Sequence, residues 1–177
     1  FPQPLTVDIT GWRTDDDSLS FDAGAVLNGV RTIAPGESVV FLESTTPATI
    51  KETFLSHWFG GARPSGLQVG TYSGSGGLGT GGDAVGLFDA GGTLRARVTF
   101  GMSAANPSRT FDNGAGLNNT AIASISSVGV RGAFAAFADA TRVGSPGVVA
   151  TQPTVTLGGF ALNRATRQLL QQAMLTN

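Results

Sequence analysis

His57 is the only imidazole in a chain of 177 residues that has no cysteine, so nucleophile–base chemistry has one nitrogen base to draw on. A serine hydrolase would pair it with an elbow serine in G-x-S-x-G, and no serine here has that setting. His57 lies between Leu55 and Trp58-Phe59, where a packed or surface imidazole is expected rather than a catalytic one. Without cysteine there is no thiol nucleophile, zinc knuckle, iron–sulfur ligand set or disulfide framework, and a lone histidine excludes a His-rich metal cage. Asp15-Asp16-Asp17 with Asp22 offers oxygens to calcium, but the ligand alternation of an EF-hand loop is missing, and an Asx-type turn between strands is the reading adopted. The 12 acidic residues are scattered over turns and nominate no carboxylate pair for glycosidase-type work. Gly74, Gly76 and Gly79 match G-x-G-x-x-G. That loop must open a helix to hold a pyrophosphate, whereas the next element, Asp83 to Asp89, reads as a strand, so the nucleotide reading fails. The expected set of catalytic residues, metal ligands and cofactors is therefore none.

Aromatic side chains are the chemistry that remains. Trp12, Trp58, Phe59 and Tyr72 are of the types that form stacking platforms in carbohydrate-binding modules. Trp58 and Phe59 lie just ahead of a flexible Gly-rich stretch and, with Tyr72, are the candidate ligand surface. Asn118-Asn119-Thr120 is an N-glycosylation sequon, relevant only in a glycosylating secretory pathway. With 11 basic against 12 acidic residues the formal charge is -1, too little to follow a phosphate backbone, so nucleic acid is not an expected partner.

The elements that must hold these residues are mostly strands. Charged residues are only 13% of the chain and glycines number 26, a composition of many turns and few solvated faces that suits an all-β protein better than a helical bundle. Leu5 to Thr10 alternates apolar and polar, the mark of a half-buried strand, and Leu19 and Phe21 resume the alternation after the acidic turn. Pro35-Gly36 centres a turn, because proline presets φ and glycine takes φ > 0. Ser38 to Glu43 after it reads as a strand buried on both faces. Pro47 to Phe59 has helical spacing, with Ile50, Phe54, Leu55 and Trp58 on one side, Thr49 as N-cap and Glu52 completing a capping box. Gly60 to Gly82 reads as a mobile loop. Asp83 to Asp89 and Leu94 to Phe100 form a hairpin around Ala90-Gly91-Gly92-Thr93. Residues 104–130 are polar and irregular, with Phe111, Leu117, Ile122 and Ile125 as anchors, and Gly144 to Gly147 closes that region. Val155-Thr156-Leu157 is a short strand. Asn163 to Met174 is expected to be a terminal helix capped by Asn163, with Ala165, Leu169, Leu170, Ala173 and Met174 on one face.

The run Val7-Asp8-Ile9-Thr10-Gly11-Trp12, then Asp15-Asp16-Asp17, then Ile33-Ala34-Pro35-Gly36-Glu37-Ser38-Val39-Val40 resembles the lamin-tail domain in its bacterial form. The hairpin Gly82 to Gly92, Phe111-Asp112-Asn113 and Gly144-Ser145-Pro146-Gly147 extend the resemblance over roughly residues 5–150. It implies an immunoglobulin-like β-sandwich, a non-catalytic role in a secreted protein, and a core position for Trp12. Members usually carry two strands ahead of this run, while only six residues precede Val7 here. A sandwich lacking those strands leaves an open sheet edge, to be met by a longer precursor, by strand donation from another chain, or by the segment Thr154 to Leu162.

The expectation is thus an immunoglobulin-like, lamin-tail-like all-β sandwich over 1–150, with a short internal helix, followed by a 151–177 extension of strand and helix. The longest apolar runs, such as Val39 to Leu42, fall far short of the ~20 residues of a membrane-spanning helix. Phe1-Pro2-Gln3-Pro4 has neither the basic nor the apolar region of a leader, which cleavage of a secreted precursor would also explain. Low charge, abundant Gly, Ser and Thr, and Lys51 as the only lysine among 11 basic residues suggest a bacterial, periplasmic or secreted protein. The expected function is a structural or interaction subunit with a protein partner or a second copy, free or peripheral to a membrane complex. Its docking face would be Leu169, Leu170, Ala173 and Met174. The alternatives are a carbohydrate- or ligand-binding module, or a non-catalytic fragment of a secreted hydrolase.

Overall fold

The computed structural model describes residues 5–74, 77–102, 109–112, 124–148, 154–163 and 168–176, the last two segments by backbone course alone. Phe1 to Pro4, Gly76, Leu117, Ile122, Ala165 and the Asn118 sequon lie outside them. The largest sheet has four strands in the order β3-β2-β7-β8, all antiparallel: β2 (Arg13–Asp15), β3 (Ala25–Val26), β7 (Asp83–Phe88) and β8 (Leu94–Phe100). Its centre is the hairpin read from the sequence. The Asp89 carboxylate accepts from the Gly91 and Thr93 N–H groups, both at 2.9 Å, and Gly92 supplies φ +83. Along β7 the alternation is strict: Ala84, Gly86 and Phe88 are buried, while Asp83, Val85 and Leu87 are half-buried. Phe88 meets Phe21 edge-on at 6.0 Å, and Ile9, Ala25, Leu27 and Val30 are the other buried apolar side chains of the N-terminal half.

Two short pairs flank this sheet. β1 (Val7–Asp8) runs antiparallel to β4 (Thr32–Ile33). The expected half-buried alternation reaches burial only at its end: Leu5 is 81% exposed, Val7 44% and Ile9 1%. β5 (Val40–Glu43) and β6 (Val69–Tyr72) form a parallel pair, joined by the crossover helix α1 (Pro47–Phe59). β6 falls inside the stretch expected to be a loop. Gly70 hides its strand character, and a parallel partner lies too far along the chain to show in local periodicity. The glycine is needed there, because a Cβ would sit 2.6 Å from the Asn28 carbonyl oxygen and overlap the Phe41 ring. β5 is half-buried along Val40 to Leu42, with Glu43 exposed, rather than closed on both faces.

The helix spans the residues expected, but its start is one turn-position earlier than the cap reading placed it. Thr46, not Thr49, is the cap residue, Pro47 occupies the first helical position, and no side chain caps the free N–H groups. Proline without an N–H fits that position, which outweighs the Thr49–Glu52 pattern. The turn at Pro35-Gly36 is as read: Gly36 has φ +73 and the Glu37 N–H donates to the Ala34 carbonyl at 3.0 Å. β9 (Phe134–Ala135) pairs with β10 (Val143–Gly144), and Ala133, Ala136 and Val143 are buried beside them.

The C-terminal segment departs most from the sequence reading. In place of a helix over 163–174 there is a long hairpin, β11 (Thr154–Asn163) against β12 (Gln168–Thr176), with Leu162 opposite Leu169 and Ala161 opposite Leu170. Leu, Gln, Ala and Met favour a helix in isolation, but ladder bonding to a partner strand overrides a propensity worth tenths of a kcal/mol per residue. Positions 169 and 173 then fall on one face of β12 and positions 170 and 174 on the other, so the expected single stripe is divided.

Candidate functional site

The acidic loop is built as a turn. The Asp15 carboxylate is buried and accepts from the Ser18 hydroxyl and the Ser20 N–H, both at 2.6 Å, while Asp16 Oδ1 accepts from the Ser18 N–H at 2.9 Å. These oxygens are engaged in holding the chain between β2 and Leu19, a residue at φ +49.

His57 sits in the last turn of α1, where its ring meets Trp58 edge-on at 6.3 Å and its carbonyl accepts from the Ala138 N–H at 2.9 Å. Its Nε2 is buried and makes no hydrogen bond. A base must reach a substrate proton, and this nitrogen is closed to solvent.

Trp58 and Phe59 are brought together, but inward. Their ring centres lie 5.7 and 5.6 Å from Phe134, and each also meets Phe54, at 6.3 and 6.4 Å. This four-ring cluster fastens α1 to the β9–β10 hairpin, leaving both side chains half-buried. Tyr72, at the end of β6, has no ring contact with them among the described residues; burial, then the charge of Glu43, pushes its phenol above the usual range.

Two other surfaces are concave. The first is a cleft of about 560 Å³ where β1, the turn after it and the β7–β8 hairpin meet, lined in part by Val7, Asp8, Thr10, Trp12, Asp89 and Arg95. Trp12, implied to be a core residue by the family resemblance, is half-buried at this surface. Gly11, at φ +76, brings the turn against Ala90, where a Cβ would lie 3.3 Å from the alanine Cβ. The Asp8 carboxyl is held below its ordinary range by the Thr10 N–H and the Thr10 hydroxyl. Asp89 is held down by the Thr93 N–H and then by Arg95, whose Nε and Nη2 approach Asp89 Oδ2 at 2.7 and 2.6 Å.

The second is the outer edge of β8. Six of its seven residues pair with β7 on one side, Arg95 falling at a register shift, and none pairs with a strand on the other side among the described residues. A shallow groove of about 380 Å³ runs along it, lined by Leu94, Arg95, Ala96, Arg97 and Thr99. Leu94, Arg95 and Arg97 are exposed, and Arg97 has no ion pair among the described residues. Sequence reasoning passed over both surfaces. The spacing of Arg95 and Arg97 inside an otherwise apolar strand was the available sign, since charge on a strand marks an edge. Among the described residues no helix is long and apolar enough to cross a membrane. Comparison with family models, curated proteins and solved structures finds nothing that matches this chain.

Proposed function

We propose that this chain is a non-catalytic, extracytoplasmic structural or interaction subunit that docks to a larger protein assembly by accepting an extended segment along β8. The observation that carries this reading is the outer edge of a seven-residue strand, unpaired among the described residues. Such an edge offers a row of free N–H and C=O groups, which an incoming strand satisfies in register. The chemistry of the edge favours an acidic segment. Arg97 is exposed and unpaired among the described residues, and Arg95 stands two positions away. A second copy fits less well, because antiparallel pairing of two β8 strands about Ala96 sets Arg95 against Arg97, like charges face to face.

The lamin-tail-like sandwich belongs to the same proposal. It is supported by the order of β1, the acidic turn, the Pro35-Gly36 turn and the β7–β8 hairpin along a β-rich chain. The exposure of Leu5 and Val7 beside β1 suits a sheet completed by further chain. The β11–β12 hairpin, which carries Leu169, Leu170, Ala173 and Met174, is the secondary docking element in this reading.

The test is light scattering after size exclusion, on tagged wild type and Arg97→Glu expressed in the source organism. The proposal expects wild type to co-elute with a larger partner that Arg97→Glu releases, and the partner's protected segment to be acidic. A free chain of 18.0 kDa, or a complex indifferent to the substitution, would overturn it.

A further inference from the structure

The cleft beside Trp12 has the composition of a ligand site that neither edge docking nor any packing need explains. The Trp12 backbone is fixed on both sides: its N–H donates to the Ile9 carbonyl at 3.1 Å and its C=O accepts from the Leu27 N–H at 2.9 Å. The side chain is free by comparison. Among the described residues the indole meets no other ring and its Nε1–H finds no acceptor. His57 Nε2 is the one described side-chain polar atom that is both buried and unbonded, so the Trp12 N–H opens to solvent. Around it stand the Asp8 carboxylate, which accepts from the Thr10 N–H and hydroxyl and keeps further lone pairs, and a guanidinium locked by Asp89 with N–H groups to spare.

This set selects among ligand classes. Two carboxylates against one guanidinium disfavour phosphates and other anions. An ammonium ligand is held by a cage of several rings, and one ring lines this cleft. Lipid is excluded by a lining that is polar at four of its side chains, Asp8, Thr10, Asp89 and Arg95. A neutral sugar matches: its C–H face stacks on an indole, and its neighbouring hydroxyls donate as a pair to a planar carboxylate or accept as a pair from a guanidinium. We propose that this cleft binds a neutral glycan, one pyranose ring lying on Trp12 with its hydroxyls on Asp8 and Arg95. The site is distinct from the Trp58, Phe59 and Tyr72 surface, whose first two rings are committed to packing.

The experiment is a printed array of neutral and acidic glycans probed with the tagged chain, followed by calorimetric titration of the best neutral oligosaccharide. Trp12→Ala should weaken binding about tenfold or more, the scale of a lost stacking partner. Asp8→Ala and Arg95→Ala, at exposed positions, should each weaken it in a chain that circular dichroism shows to be folded, and they decide the matter should Trp12→Ala fail to fold. Trp58→Phe and Arg97→Glu should leave affinity unchanged, the latter separating this cleft from the β8 edge. Binding to no neutral glycan, binding to acidic glycans alone, or binding that survives the Trp12, Asp8 and Arg95 substitutions overturns the proposal.

Discussion

At the scale of single residues, carboxylates act here mainly as anchors for backbone N–H groups. Asp15 is the clearest case, 4% exposed and accepting from the Ser18 hydroxyl and the Ser20 N–H. Asp15→Ala leaves that N–H without its acceptor and should cost about 1–3 kcal/mol in denaturant unfolding, with Asp15→Asn losing less. A loss below about 0.5 kcal/mol would mean the turn is held by something else. The same logic sets the response to acid. Asp83 is held below its ordinary range by the Gly79 and Ala84 N–H groups, Glu37 by the Ala34 N–H and Gln68, and Asp139 by the Thr141 hydroxyl and N–H. A depressed folded-state value contributes stability that is present above the unfolded value and lost as pH falls through the folded one. Thermal melting should therefore be steady near neutrality and fall below about pH 4, and Asp83→Asn should flatten part of the fall. A melting temperature indifferent to acid would contradict the assignment. Residue identity alone suggested the Asx turn, because Asp and Ser bond locally. It left Trp12 undecided, since a Gly-Trp step reads the same whether the indole faces core or cleft.

At the scale of elements, legibility followed the range of the interaction. The β7–β8 hairpin and α1 were readable because their determinants lie within a few residues: a Gly-rich turn between alternating strands, and apolar spacing closed by Gly60. β6 was not, because it is a strand only by virtue of a parallel partner on the far side of α1. β12 was not for a different reason: its partner is the adjacent strand, but its Leu, Gln, Ala and Met residues favour a helix in isolation. The helix start shows a local rule losing to another local rule. Thr46 precedes Pro47 and makes no capping bond, and the first turn holds no acidic residue. Thr46→Asp should supply both the missing acceptor and a favourable charge, raising stability by about 0.5–1 kcal/mol. Thr49→Ala, which the Thr49–Glu52 capping reading would make costly, should be near neutral in the same melts. A costly Thr49→Ala would restore the later start.

At the scale of the whole molecule, the fold has little to spare. The buried apolar set includes four alanines, and among the described residues Ile9 and Ser126 are the largest side chains closed off almost completely. Net charge is -1, so general repulsion between copies is weak and each open edge must be guarded locally. On β8 that guard is Arg97, exposed and without an ion pair among the described residues, at the middle of a strand whose other side is already bonded. The same charge would invite an acidic segment and turn away a second copy. Arg97→Val removes the repulsion and adds a β-branched side chain, converting the edge into a surface that accepts itself. Produced in a host that lacks the partner, the variant should show a mass that climbs with concentration in light scattering, while wild type made the same way holds at 18.0 kDa. Arg142→Val makes the same change in charge beside the β9–β10 turn, away from any edge of the four-stranded sheet, and should leave the mass unchanged. If Arg97→Val also holds at 18.0 kDa, the edge is closed by something other than charge, and docking along β8 loses its basis.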